Sequence, residues 1–199
     1  MKRLLAVIAL ALMPVMGIAQ DNVQDRLFAD ETGHFTMVVD MGALKVLSEC
    51  WFMDYGARQR NEMEIMGEKV ITLKINGMSY LIAPQFQEVP DDDVVNFNNL
   101  TPEVMEKHDI KKAGSEKIDG YDCDIYTFQK SQQGVVADAK VWIWHGLPIR
   151  TEVGTVGFTV VQTISNLEVG VPVDPALFEL PENGKVQGQE NKSGMKHQY

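Results

Sequence analysis

Val70-Ile71-Thr72-Leu73-Lys74-Ile75-Asn76-Gly77-Met78-Ser79-Tyr80-Leu81-Ile82-Ala83 decides how this chain folds. β-Branched and aromatic residues suit a pleated, half-buried surface. Asn-Gly between two such runs fits a two-residue type I′ turn, because both residues tolerate positive φ. The turn sets the register. Ile75 falls opposite Met78, Leu73 opposite Tyr80 and Ile71 opposite Ile82, all on one side, while Lys74 and Ser79 project from the other. The stretch therefore predicts strands over 70–75 and 78–83 with one apolar face.

Working outward, the same period of two recurs. In 58–66, Met63 and Ile65 alternate with Arg60, Glu62 and Glu64, giving one apolar and one charged face. Further strands are expected over 35–41 and 47–55. After a polar interlude opened by Pro90-Asp91-Asp92-Asp93, a second block reads as strands over 121–130, 135–145, 149–156 and 158–169. Gly154 to Gly157 breaks the last pair, and Gly146-Leu147-Pro148 interrupts the chain after the tryptophans. The three aspartates lack the alternating spacing and distal Glu of an EF-hand, so they read as a solvated loop. Short helices are expected over 23–29 after Asn22, from Thr101-Pro102-Glu103 to about Lys107, and over 173–178 with Asp174 as cap. Nine strands in sequential hairpins with no βαβ alternation predict a mainly β, α+β fold. One apolar face makes such a sheet curl on itself or wrap around helices, giving an incomplete antiparallel barrel.

The whole chain of 199 residues is 45% hydrophobic and 23% charged, a globular composition that excludes collagen, coiled coil and wholesale disorder. Its formal charge of −10 argues against nucleic acid, since phosphate binding needs a basic footprint. Residues 1–19 place Lys2 and Arg3 before an apolar run broken by Pro14, then Gly17 and Ala19 at the −3 and −1 positions of a cleavage site. This predicts a secretory signal peptide rather than a membrane span. No Cys follows the site, so a soluble periplasmic protein without a lipid anchor is expected. Losing Lys2 and Arg3 takes the charge to −12. Residues 20–182 then form the β domain, and the Gly-, Gln-, Lys- and Asn-rich stretch 183–199 a flexible tail.

Chemistry-bearing constellations are sparse. His34, His108, His145 and His197 form no HxH or HExxH pattern, and neither a phosphate loop nor a GxSxG elbow occurs, so no metal, cofactor or catalytic residue is expected. Cys50 with His145 as nucleophile and base, and Asp122 with Asp124 as a carboxylate pair, are weaker readings than packing and a solvated edge. Cys50 and Cys123 stand apart in strand-like runs. The sequence leaves open a disulfide between them or two buried thiols.

Three stretches carry a resemblance. Lys117-Ile118-Asp119-Gly120-Tyr121-Asp122-Cys123-Asp124-Ile125-Tyr126, then Lys140-Val141-Trp142-Ile143-Trp144-His145-Gly146-Leu147-Pro148-Ile149-Arg150, and finally Val173-Asp174-Pro175-Ala176-Leu177-Phe178-Glu179-Leu180-Pro181 resemble the closing half of the LolA/LolB superfamily of lipoprotein carriers and receptors. That pattern runs G-x-x-C/A-x-x-Y, a Trp-ending strand with G-x-P-x-(K/R), and F-x-L-P. At the front, Leu47 to Tyr55 keeps the aromatic at Trp51 but lacks the Pro-Gly and Arg of the carriers. The resemblance thus implies an uncharacterised exported relative, not the carrier itself. It implies an incomplete barrel of about eleven strands around a lipid cavity.

Met-rich surfaces adapt to ligands of variable shape such as acyl chains. With alternation this nominates Trp51, Met53, Met63, Ile65, Ile71, Leu73, Ile75, Met78, Tyr80 and Ile82 as the cavity lining. The expected function is a periplasmic binding protein that holds a lipid acyl chain or lipoprotein. The alternative is an envelope protein-interaction or stress-sensing module whose core is filled by its own side chains.

Overall fold

The computed structural model describes residues 26–180 apart from 66, 76, 84, 90–94, 133–134 and 156. The expected signal peptide, acidic loop and tail lie outside the described residues. Eleven strands form a single sheet: β1 (Gly33–Asp40), β2 (Lys45–Met53), β3 (Arg58–Ile65), β4 (Glu68–Ile75), β5 (Met78–Ala83), β6 (Gln85–Val89), β7 (Lys111–Ile118), β8 (Tyr121–Gln132), β9 (Val135–Trp144), β10 (Leu147–Thr155) and β11 (Phe158–Val169). The spatial order is β6-β5-β4-β3-β2-β1-β11-β10-β9-β8-β7, so the sheet is two meanders joined by one antiparallel seam between β1 and β11. β6 and β7 are its edges, and the curved sheet does not close.

These two edges are the strands that alternation did not announce. β7 reads Lys-Lys-Ala-Gly-Ser-Glu-Lys-Ile and is exposed along nearly its whole length. An edge strand that buries neither face carries no apolar period, and lysines there discourage pairing with another chain. β2 stops at Met53 rather than Tyr55 because Asp54 and Tyr55 take positive φ and open a 3-10 turn over Asp54–Gly56.

Two other turns hold the second meander in register. Asp119-Gly120 joins β7 to β8 and His145-Gly146 joins β9 to β10, each with positive φ at both residues, as a type I′ turn requires. What sequence reads as an interruption at Gly146 is therefore a tight hairpin.

The expected helix over 23–29 is not helical where it is described. Leu27 and Phe28 both donate their backbone N–H to the Tyr55 carbonyl, at 2.9 and 3.0 Å, and Ala29 donates to that of His145 at 2.9 Å. With those donors committed elsewhere, no i−4 ladder can form. Instead this segment braces the two meanders, and Phe28 meets Phe52 edge-on with ring centroids 4.8 Å apart. It belongs to the main core with Phe35, Met37, Val39, Val46, Cys50 and Phe52 of β1 and β2 and Leu147, Ile149, Val160 and Ile164 of β10 and β11.

A second cluster lies under the crossover between the two sheet edges. There Val95, Phe97 and Ile110 pack with Val141 and Ile143, beside Tyr126 and Phe128. The crossover carries the anticipated helix, α1 (Pro102–Lys107), whose Thr101 hydroxyl accepts from Val104 N–H at 3.2 Å. The last expected turn is present over Pro175–Phe178, with Asp174 Oδ1 accepting from Ala176 N–H at 2.9 Å.

Gly146 tests the brace. A Cβ there would lie 2.2 Å from the Leu27 carbonyl oxygen, whereas one at Gly120, equally at positive φ, would meet nothing within 4 Å. Gly146→Ala should cost about 3 kcal/mol or more, and Gly120→Ala only the backbone term of about 1–2 kcal/mol. Urea unfolding of both variants measures the difference; equal losses would show that the contact with Leu27 carries no weight.

Candidate functional site

The pairing of β1 to β5 determines which side chains share a face. One cross-strand row runs His34, Trp51, Arg60, Leu73 and Tyr80 from β1 to β5. Flanking rows run Met53, Arg58, Ile75 and Met78 on one side, and Thr36, Glu49, Glu62, Ile71 and Ile82 on the other. All lie on the face opposite Phe35, Met37, Cys50 and Phe52, because neighbours along a strand point to opposite sides.

The ten residues nominated from sequence therefore divide. Met63 and Ile65 lie on the core side, Met63 buried and Ile65 packed against the main cluster. Trp51, Met53, Ile71, Leu73, Ile75, Met78, Tyr80 and Ile82 lie together on the second face. The cause is the β3–β4 turn. Ile65 pairs with Glu68, which sets Met63 opposite Val70 and leaves Ile71, Leu73 and Ile75 opposite Glu62, Arg60 and Arg58. A one-residue difference in register exchanges the faces of a strand. Gly67, at φ +82°, is the sequence signal for this turn.

The core side of β3 and β4 is not purely apolar either. Gln59, Asn61 and Lys74 are buried there with Ser48, and Gln59 Nε2 donates to the Gly56 carbonyl at 2.6 Å.

On the second face, β4 and β5 form an apolar field of six side chains. Met78 is 44% exposed, and Ile71, Ile75, Tyr80 and Ile82 are half-buried. β3 borders this field with ions. Arg58 Nε pairs with Asp54 at 2.5 Å, and Glu62 accepts from Arg60 at 2.5 Å and from Lys69 at 2.6 Å. Burial alone would raise the Glu62 carboxyl, but hydrogen bonds from Lys69 and Arg60 outweigh it and hold the group below its ordinary range. Arg60 Nη1 also donates to the Leu177 carbonyl at 2.7 Å, and the Arg58 guanidinium lies 5.6 Å from the Phe178 ring centroid. The 3-10 turn over Pro175–Phe178 thus docks on β3.

Cys50 and Cys123 are both buried and are not bonded to each other in the structure. Four strands separate β2 from β8 in the sheet. Burial pushes both thiols upward, most strongly Cys50. His145 does not serve Cys50: its Nδ1 lies 3.1 Å from Asp30 and its ring stacks on Trp144 at 3.8 Å. Asp122 and Asp124 are ion-paired with Lys117 and Lys112. Among the described residues, no group of three or more His, Cys, Asp or Glu is placed to hold a metal. A groove of about 580 Å³ at the far end of β8 to β10, edged by Lys111, Gln129, Asp138, Lys140 and Glu152, contains none of the nominated residues.

An open, curved sheet of eleven antiparallel strands with few short helices is the mainly β fold that the resemblance to the LolA/LolB superfamily implies. Within that class the chain belongs to the DUF4412 family, a domain of unknown function whose model matches residues 32–148. No curated protein matches the chain. Among solved structures it is similar to a chain of the Pseudomonas aeruginosa MucA/MucB complex, at 12% identity and a TM-score of 0.53, over 79% of this chain and 58% of that one. A crystal structure of MucB gives 14% identity and 0.50, over 79% and 61%. An uncharacterized conserved protein from Thermus thermophilus gives 11% identity and 0.53, over 77% and 88%. The chain therefore spans about three fifths of the two MucB-related chains.

Two outcomes follow from this geometry. Neither cysteine should react with iodoacetamide at pH 8 in the native protein, and both should react in urea; rapid native labelling of Cys50, read by mass spectrometry, would contradict its burial. For Glu62, a lowered folded pKa means stability present above the ordinary carboxylate range of about 4 and lost as pH falls through the folded value. Glu62→Gln should thus be less stable than wild type by about 1 kcal/mol at pH 6, with the gap closing towards pH 3 in thermal melts.

Proposed function

We propose that the protein is an exported binding protein of the cell envelope, carried out by residues 1–19 as a cleaved signal peptide, that holds an acyl chain of a lipid or lipoprotein on the second face of β2 to β5. The observation that carries this reading is the apolar field of Ile71, Leu73, Ile75, Met78, Tyr80 and Ile82 on the side of the sheet away from the main core. A soluble chain with 28 acidic residues has ample polar surface, so a contiguous apolar patch on a sheet face calls for a partner. The main core is an unsuitable receptacle, since Phe28, Phe52, Met37, Leu147 and Ile149 fill it themselves. Each methylene of an acyl chain laid on the field contributes about 0.8 kcal/mol before ordering costs, and a chain of ordinary length spans several strands. Trp51 and Met53 extend the surface on β2.

A second reading has its own support. The likeness at TM-score 0.53 to a chain of the MucA/MucB complex favours an envelope protein partner on the same fold. The readings separate on what accompanies the protein out of the cell. Chloroform–methanol extraction and native mass spectrometry of the exported protein should find co-purified lipid. Ile71→Glu and Ile82→Glu, a cross-strand pair on the field, should each lower palmitate affinity about tenfold, while Val136→Glu, 56% exposed on β9 in the other meander, leaves it unchanged. A protein free of lipid that binds no palmitate would overturn the acyl-chain reading and leave the protein partner.

A further inference from the structure

We propose that the C-terminal strap, residues 171–178, is a built-in competitor for the apolar field: it occupies the β3–β4 edge of that field when no ligand is bound and is displaced when one arrives. This rests on the acyl-chain reading for its ligand, but the strap itself is read from its own contacts. It leaves β11 at Gly170, whose N–H donates to the Thr32 carbonyl at 2.9 Å, and the Thr32 hydroxyl donates to the Val171 carbonyl at 2.7 Å. In sheet order it then passes β1 and β2 to reach β3, where Arg60 holds the Leu177 carbonyl and Arg58 faces Phe178.

Burial marks where the strap lands. Along β4, Ile71 and Ile75 are half-buried, yet Leu73 between them is only 1% exposed. Leu73 is the cross-strand neighbour of Arg60, the residue that grips the strap. Phe178 is likewise 4% exposed, and neither side chain belongs to the two core clusters. The strap therefore shelters the centre of the field and leaves its flanks open.

Its attachment suits displacement. Between the Thr32 anchor and Phe178, residues 172 and 174–176 are exposed, and the rigidity of the turn comes from Asp174 capping Ala176 rather than from burial. A segment with one buried side chain belongs to the least stable part of a fold, the part that ligand-responsive elements are drawn from. Arg58 and Arg60 keep their partners Asp54 and Glu62 when the strap lifts, so no charge is left bare.

The test uses N-phenyl-1-naphthylamine, a fluorescent apolar probe, on the full chain. A strap that covers the field most of the time lowers apparent affinity by the closed fraction, so Phe178→Ala should bind the probe about fivefold more tightly, and Thr32→Val, which loosens only the distant anchor, about twofold. The gain should vanish in Phe178→Ala/Ile75→Glu, and melting should remain cooperative in each variant. Unchanged or weaker probe binding in Thr32→Val and in a folded Phe178→Ala overturns the strap. If Phe178→Ala does not fold, Thr32→Val alone decides. Tighter probe binding with no lipid in the exported protein keeps the strap and removes the acyl-chain reading; co-purified lipid with unchanged probe binding does the reverse.

Discussion

Everything in this fold hangs on the pairing of β1 with β11. Of the ten strand pairings among the described residues, nine join neighbours in the chain and need only a tight turn; this one joins residues about 130 apart. Closing so long a loop costs conformational entropy that local hairpins do not, and the seam recovers it by burying apolar side chains. Met37 lies opposite Ile164 and Val39 opposite Gln162, whose side-chain amide reaches Met37 Sδ. Without the seam there are two separate meanders, each with one apolar face in water. With it, the face of β1 and β2 continues into that of β11 and β10, and Leu27 and Phe28 brace the result by binding carbonyls from both halves.

A seam of this kind is invisible to local pattern. The sequence rules are strong where a turn and its strands lie in one window, which is why the register around Asn76-Gly77 is read correctly down to Ile71 opposite Ile82. They also find the caps at Thr101 and Asp174. They fail at the edge strands β6 and β7, the second of which is exposed nearly throughout and carries no period, and at residues 27–29, whose backbone donors are taken by turns far away in the chain. The number eleven comes from resemblance to a family rather than from alternation.

The candidate site shows a subtler limit. Each strand's apolar alternation is legible, but the phase between strands is not, unless the connecting turn is read as closely as the strands. Met63 and Ile71 both look inward when taken singly, yet the two-residue turn at Gly67 sets them on opposite sides of the sheet. The apolar surface predicted for an interior cavity is thereby divided: two residues complete a core already filled by Phe28 and Phe52, and eight form a surface on the other side.

That division also explains the ions on β3. A strand between Trp51 and Met53 of β2 and the aliphatic column of β4 would, if apolar, make the second face a continuous hydrophobic sheet prone to association. Arg58, Arg60 and Glu62 interrupt it. Their charges are paired along the strand or with its flanking turn, so the interruption leaves no unpaired charge and still offers Arg60 as a donor to whatever lies across the face. In this structure that is the carbonyl of Leu177. The same guanidinium thus separates two apolar columns and fixes the segment that crosses them, so the position of the C-terminal turn follows from the register of a hairpin more than a hundred residues earlier.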